Sequence, residues 1–123
     1  MNRIEAHEFA ANWITAWNRR DVDAVLEHYI DDATFVSPKA VGFVGTPIVH
    51  GKKALSEYWK VASRKIEAIE FKLDHIVWDS YSNELVIFYE ANLNGVCSRA
   101  CEMMKFDSTG RQVSGEAMYG API

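Results

Sequence analysis

An α+β fold is predicted for this chain, with three helices in the N-terminal half and a mostly antiparallel sheet behind them. Three observations predict it. Apolar residues recur at helical spacing in segments that end at Arg64. Beyond that point apolar and polar residues alternate, as they do along strands. Asn94-Gly95 then stands between two such runs and is the strongest hairpin signal in the sequence.

The first helix carries Phe9, Trp13, Ala16 and Trp17 on one broad apolar face. Asp21 follows Arg19-Arg20 and can cap the amides of a new helix. Val22, Val25, Leu26 and Tyr29 give that second helix a stripe for the core, and Asp31-Asp32 is expected to stop it. Thr34-Phe35-Val36 has β-branched and aromatic character and reads as a short strand ended by Pro38. Residues 39–50 read as a loop with Gly42, Gly45 and Pro47, yet they hold Val41, Phe43, Val44 and Ile48. A loop so apolar folds over something: either it is a pocket lid, or it packs on the helices or on a partner chain. Gly51 to Arg64 makes the third helix, with Leu55, Tyr58, Trp59 and Ala62 on one side.

Ile69, Phe71, Leu73, His75 and Val77 mark the first long strand, and Leu85 to Leu93 the next. A two-residue turn at Asn94-Gly95 opposes Leu93 to Val96, Glu90 to Arg99, Tyr89 to Ala100 and Ile87 to Glu102. The turn at Asp107-Ser108-Thr109-Gly110 is expected to oppose Met104 to Val113, Glu102 to Gly115 and Ser98 to Tyr119. This register makes two faces. One holds Ile87, Tyr89, Ser98, Ala100, Glu102, Met104, Phe106, Val113, Ala117 and Tyr119; the other holds Val86, Phe88, Glu90, Cys97, Arg99, Cys101 and Met103. Both are largely apolar, so both need cover. Helices can cover the first. The second, with a Glu90–Arg99 pair amid Phe88, Cys101 and Met103, reads as a subunit interface.

At 123 residues the chain is long enough for one domain and one core. A hydrophobic content of 49% against 24% charged residues is globular rather than disordered. A formal charge of −4 and the lack of a dense Lys/Arg stripe argue against nucleic acid as a partner. No window approaches a membrane span and the first residues have no apolar signal core, which predicts a cytoplasmic protein. Cys97 and Cys101 lie on one strand, about 13 Å apart by strand rise and beyond the ~7 Å limit for a disulfide. No His or Cys has the short paired spacing of a zinc site, so no metal is indicated.

Glu102 is the residue whose chemistry stands out. The register puts it mid-strand beside Ile87, Tyr89 and Met104, where desolvation disfavours its charged form. A neutral acid there can donate a hydrogen bond to a ligand carbonyl or move a proton. Alternatively it sits at the mouth of the sheet, paired with His, Lys or water. His50, directly before Gly51, can titrate near neutral pH or can simply cap the third helix. His75 reaches the pocket only if the register of its strand allows, which the sequence does not decide. His7 and His28 lie beside charged residues on helices and are expected to be solvated.

The pieces Trp17-Asn18-Arg19-Arg20-Asp21, Tyr29-Ile30-Asp31-Asp32-Ala33-Thr34-Phe35, His50-Gly51-Lys52-Lys53-Ala54-Leu55, Gly95, and Phe106-Asp107 with Gly110 span nearly the whole chain. In them the chain resembles the nuclear transport factor 2-like superfamily, which includes ketosteroid isomerases and SnoaL-like polyketide cyclases. The resemblance implies a single domain over 1–123, a curved sheet forming a cone with an internal pocket, and a homodimer through the outer sheet face. Glu102 falls where the isomerases keep a protonated aspartate in their oxyanion hole. The general-base aspartate of that family maps onto Ser37, its oxyanion tyrosine onto Trp13 and a supporting tyrosine onto Trp59, while Tyr29 is kept. A serine is no base without a partner and an indole does not titrate, so steroid-type isomerisation is not expected.

The sequence reading is thus a binder of a small hydrophobic molecule, acting as a cofactor-independent isomerase, cyclase or hydratase, or else a non-catalytic carrier, sensor or interaction module. Its expected pocket residues are Trp13, Trp17, Tyr29, Phe35, Ser37, Trp59, Ile87, Tyr89, Met104 and Tyr119, with Glu102 and His50 as the catalytic candidates and no cofactor.

Overall fold

The computed structural model describes residues 1–123. Asn2 opens the first helix, α1 (Arg3–Asn18), with a reciprocal capping box: its Oδ1 accepts from the Glu5 amide at 2.8 Å, and Glu5 Oε1 accepts from the Asn2 amide at 2.9 Å. Ala6, Ala10, Trp13, Ile14 and Ala16 are buried along it, with Phe9 and Trp17 half-buried. Arg20, at φ 57°, breaks the chain. Asp21 Oδ1 then caps α2 (Val22–Leu26) through the Ala24 amide. Strand β1 (Tyr29–Val36) starts sooner than expected. Tyr29 therefore packs from a strand and not from α2, and Asp31 and Asp32 lie exposed within β1. The helix stops at Leu26 and leaves room for both aspartates to point to solvent.

The segment read as a loop is structured. A 3-10 turn (Pro38–Ala40) leads into α3 (Val41–Val44), which Gly45 ends in the left-handed region at φ 80°, and β2 (Ile48–His50) follows. The helices therefore number four, because local Gly and Pro here shape a tight turn instead of preventing one. Helix α4 (Lys52–Lys65) buries Leu55, Tyr58, Trp59 and Ala62. The remaining strands are β3 (Ile69–Asp79), β4 (Glu84–Leu93), β5 (Val96–Phe106) and β6 (Gln112–Pro122). They form one sheet in the order β2-β1-β6-β5-β4-β3, antiparallel throughout except for β1 beside β6.

The β4–β5 hairpin has the expected register, with Asn94 and Gly95 both at positive φ. The β5–β6 register does not. Met104 opposes Gly115, Glu102 opposes Ala117 and Ser98 opposes Pro122, with Val113 an extra residue beside the turn. Asp107 causes part of this by accepting from the Thr109 and Arg111 amides, which widens the turn to Arg111. The extra Val113 supplies the second position, and an irregularity between Ser98 and Ala100 supplies the third, at Pro122. A second bulge, at Asp74 in β3, turns His75 to the outer face, where its ring stacks on Phe88 at 4.5 Å. Arg99 opposes Glu90 in register, but its guanidinium bonds Asp74 at 2.8 Å instead.

Asn18 docks α1 on the sheet. Its side chain donates to the Phe71 carbonyl at 2.9 Å and accepts from the Phe71 amide at 2.7 Å. Gly115 leaves room on β6 for the side chains of neighbouring β1, since a Cβ there would lie 2.8 Å from the Tyr29 hydroxyl and 3.2 Å from the Phe35 ring. Gly115→Ala is expected to lower stability by roughly 1–3 kcal/mol through overpacking, read as a drop in the urea midpoint. Gly42→Ala, where a Cβ meets nothing within 4 Å, should not lower it.

Candidate functional site

Helices and sheet diverge toward the Asn94–Gly95 end and enclose a cavity of about 640 Å³. Its helical wall is Trp13 and Trp17 of α1 with Tyr58, Trp59 and Ala62 of α4. Its sheet wall is Phe35, Phe71, Tyr89, Ser98, Ala117 and Tyr119. Lining residues that reach solvent, namely Pro38, Lys39, Gly42, Phe43, Asn94 and Val96, come from two places, the 3-10 turn with α3 and the β4–β5 hairpin tip. The opening therefore lies between those two segments.

The aromatic wall is a connected set of edge-to-face contacts. Trp17 meets Trp59 at 5.1 Å, Phe35 meets Trp59 at 5.0 Å, and Trp13 meets Tyr89 at 5.2 Å. Such pairs each contribute about 0.5–1.5 kcal/mol beyond area burial, so the wall is rigid. Phe43 packs on Tyr58 at 5.4 Å, which fastens α3 to the lip.

Glu102 is the acidic group of this cavity. It is 4% exposed, and its Oε2 has no hydrogen-bond partner. Burial alone pushes its carboxyl up to about 8, with no cation close enough to reverse the effect. The neutral acid is therefore the main form at pH 7. Tyr58, Tyr89 and Tyr119 are all raised, chiefly by burial and further by the nearby Glu102, so the phenols also keep their protons. The Trp13 indole N–H is likewise buried and unpartnered. Glu102 Oε2 and the Trp13 indole N–H are thus the buried polar atoms of the lining residues left without a partner.

Of the residues expected at the site, Trp13, Trp17, Phe35, Ser37, Trp59, Tyr89, Tyr119 and Glu102 line the cavity. Tyr29, Ile87 and Met104 do not; each is 0–1% exposed within the packed core. Ile87 opposes Glu102 and Met104 lies beyond it, on the part of the sheet farther from the hairpin tip. His50 is exposed on β2, its Nδ1 3.2 Å from Thr34 Oγ1, outside the cavity. His75 is outside too. Ser37 is buried, and its hydroxyl accepts from the Lys39 amide at 3.2 Å. Its hydroxyl makes no hydrogen bond to a histidine or carboxylate. Sequence reading passed over Lys39, Tyr58, Phe71 and Arg20. Tyr58 and Phe71 carried a signal as buried-stripe aromatics, whereas Lys39 and Arg20 carried none, since their place depends on contacts distant in sequence.

The family model for the SnoaL-like domain matches residues 10–118. A SnoaL-like protein of unknown function from Burkholderia thailandensis E264 is 30% identical, with 98% of each chain covered and a TM-score of 0.86. A protein with a cystatin-like fold from Methylobium petroleophilum PM1 is 18% identical, with 100% of this chain and 80% of that one covered and a TM-score of 0.78. SalBIII, an epoxide hydrolase/cyclase-like enzyme with a role in pyran ring formation in the polyether salinomycin, is 19% identical, covering 97% of this chain and 93% of its own at a TM-score of 0.75. The last two show the fold alone. No curated protein matches the chain. With nearly its whole length matched, the chain belongs to the SnoaL-like domain family, within the nuclear transport factor 2-like superfamily.

Proposed function

We propose that the domain binds a small hydrophobic molecule in the aromatic cavity and acts on it by acid–base chemistry, as an isomerase, cyclase or hydratase. One observation carries this reading: a buried carboxyl group, held neutral, leaves an oxygen unpartnered inside an apolar cavity. Such a cost to stability is kept where the group meets a ligand. Glu102 would donate to an oxygen of the substrate as charge develops there, and the resulting carboxylate would recover a proton later in the turnover. One group thus serves as acid and then as base. The cyclase-like enzyme of the same fold is an example of such chemistry on this scaffold, and it assigns neither reaction nor substrate here.

A carrier is the second reading, favoured by Ser37. It stands where a base would help, and its hydroxyl instead caps a turn. Glu102→Gln separates the two. As an enzyme, the variant keeps binding and loses about 10²–10⁴ in turnover. An unchanged rate removes the catalytic role. Mass spectrometry of the molecule that co-purifies with the protein supplies the ligand for this assay.

The same carboxyl makes stability depend on pH. Folded Glu102 holds its proton up to about pH 8, whereas the unfolded chain releases it near 4.5. The native state binds the extra proton between those values, so the Glu102 contribution is full below pH 4.5, falls as pH rises, and levels off above pH 8. The gap in urea midpoint between Glu102→Gln and the parent should therefore move in favour of the variant from pH 5 to pH 9. A gap that does not change with pH would show that Glu102 ionises normally.

We also propose that a second copy covers the outer sheet face. Val77 is 51% and Met118 42% exposed there, beside half-buried Val86, Phe88, Cys101 and Met103, and nothing in the protomer packs over them. Sedimentation should give a dimer that Val77→Glu with Met118→Glu converts to a monomer; a monomeric parent would exclude it.

A further inference from the structure

The charges around the cavity are unevenly arranged. Among its lining residues only Arg20, Lys39 and Glu102 are of charged type. Glu102 retains its proton, so the wall holds two cations and no anion inside a chain of net charge −4. Arg20 is committed: its guanidinium donates to the carbonyls of Ser63, Ile66 and Glu67. Lys39 is not. No acidic side chain forms a salt bridge with it, and its Nζ lies 4.5 Å from the centre of the Tyr119 ring. Lys65, at the end of α4 and outside the lining itself, repeats the pattern, with Nζ 5.3 Å from the centre of the Phe43 ring and no acidic partner. Each ammonium thus rests on an aromatic ring that itself lines the cavity. Pro38 and the Ser37 cap hold the Lys39 backbone in its turn, which keeps the root of this side chain beside the opening.

We propose that the cavity takes an amphiphilic anion, a hydrophobic carboxylate whose apolar body lies along the aromatic wall and whose charged end meets Lys39 and Lys65 at the mouth. This rests on the reading of the cavity as a small-molecule site. The orientation follows from desolvation. An anion pushed to the floor would lose its water beside Glu102, far from a free cation, whereas at the lip it keeps part of its hydration and gains two. The floor, with the Glu102 and Trp13 donors unpartnered, suits a neutral acceptor such as a carbonyl or ether oxygen carried by the same molecule.

Decanoate and methyl decanoate, titrated calorimetrically into the whole protein at pH 7 and low salt, test this. The acid is expected to bind about three- to tenfold tighter than the ester. That preference should shrink toward unity in the double variant Lys39→Gln, Lys65→Gln and in 0.5 M salt, in line with the modest strength and salt screening of exposed ion pairs. Ester binding is expected to survive both changes, which shows that the variant is folded. Equal affinity for acid and ester, or a preference that the double variant keeps, overturns the carboxylate and leaves the pocket. Binding of neither probe overturns the small-molecule reading of the cavity along with it.

Discussion

The Arg20 guanidinium holds the helical layer in the arrangement that every other feature of the cavity requires. It donates to three carbonyls at and just beyond the end of α4, where a helix exposes unpaired acceptors and the negative end of its dipole. To get there the residue adopts a left-handed backbone at φ 57°, which costs roughly 1–2 kcal/mol outside glycine. Hydrogen bonds from a charged donor return about 1.5–3 kcal/mol each, so the clamp wins over the strain. It joins the break between α1 and α2 to the end of α4, while Asn18 fixes α1 to β3 two residues earlier. These bonds fix the C-terminal ends of α1 and α4 relative to each other and to β3.

The cavity explains how the domain keeps a buried acid without a partner. An ionised carboxylate there would lose far more hydration than the surroundings return, so the group stays protonated. A neutral carboxylic acid costs less to bury, yet its free oxygen and the Trp13 N–H still leave hydrogen bonds unmade. A core selected for stability alone would replace them with apolar groups of the same shape. The edge-to-face contacts of the aromatic wall offset part of the cost.

Where the sequence was legible, local chemistry decided the geometry. Asn94-Gly95 demands positive φ at both positions, and the β4–β5 register follows from that alone, which placed Glu102 opposite Ile87. Asp21 as a cap and the α4 stripe were legible for the same reason. Where bulges intervene the pattern misleads. Asp74 adds a residue to β3 and sends His75 outward, and Val113 with the Asp107 turn shifts β6 by two positions. Neither bulge has a glycine or proline to announce it. As far as Tyr119 the shift is even, so β6 keeps its faces there, and Ala117 and Tyr119 still reach the cavity. Ile87 and Met104 share the face of Glu102 but not its surroundings, because a face is a property of one strand and a cavity depends on where the helices lift away.

The division of labour along the cavity follows from the same geometry. The donors lie at the floor, where Trp13 packs on Phe71 and Tyr89 and Glu102 is buried. Lys39 and Lys65 are at the lip because a fixed ammonium needs solvent on one side, and the aromatic rings beneath them belong to Tyr119 and Phe43. Exchanging the two ends would not work on this scaffold. A lysine at the floor would lose its charge to desolvation or form a pair with Glu102, and a glutamate at the lip would ionise and cease to donate. Ordinary pKa physics therefore assigns the neutral donor to the interior and the cations to the rim. It also gives any ligand that satisfies both a single direction of entry.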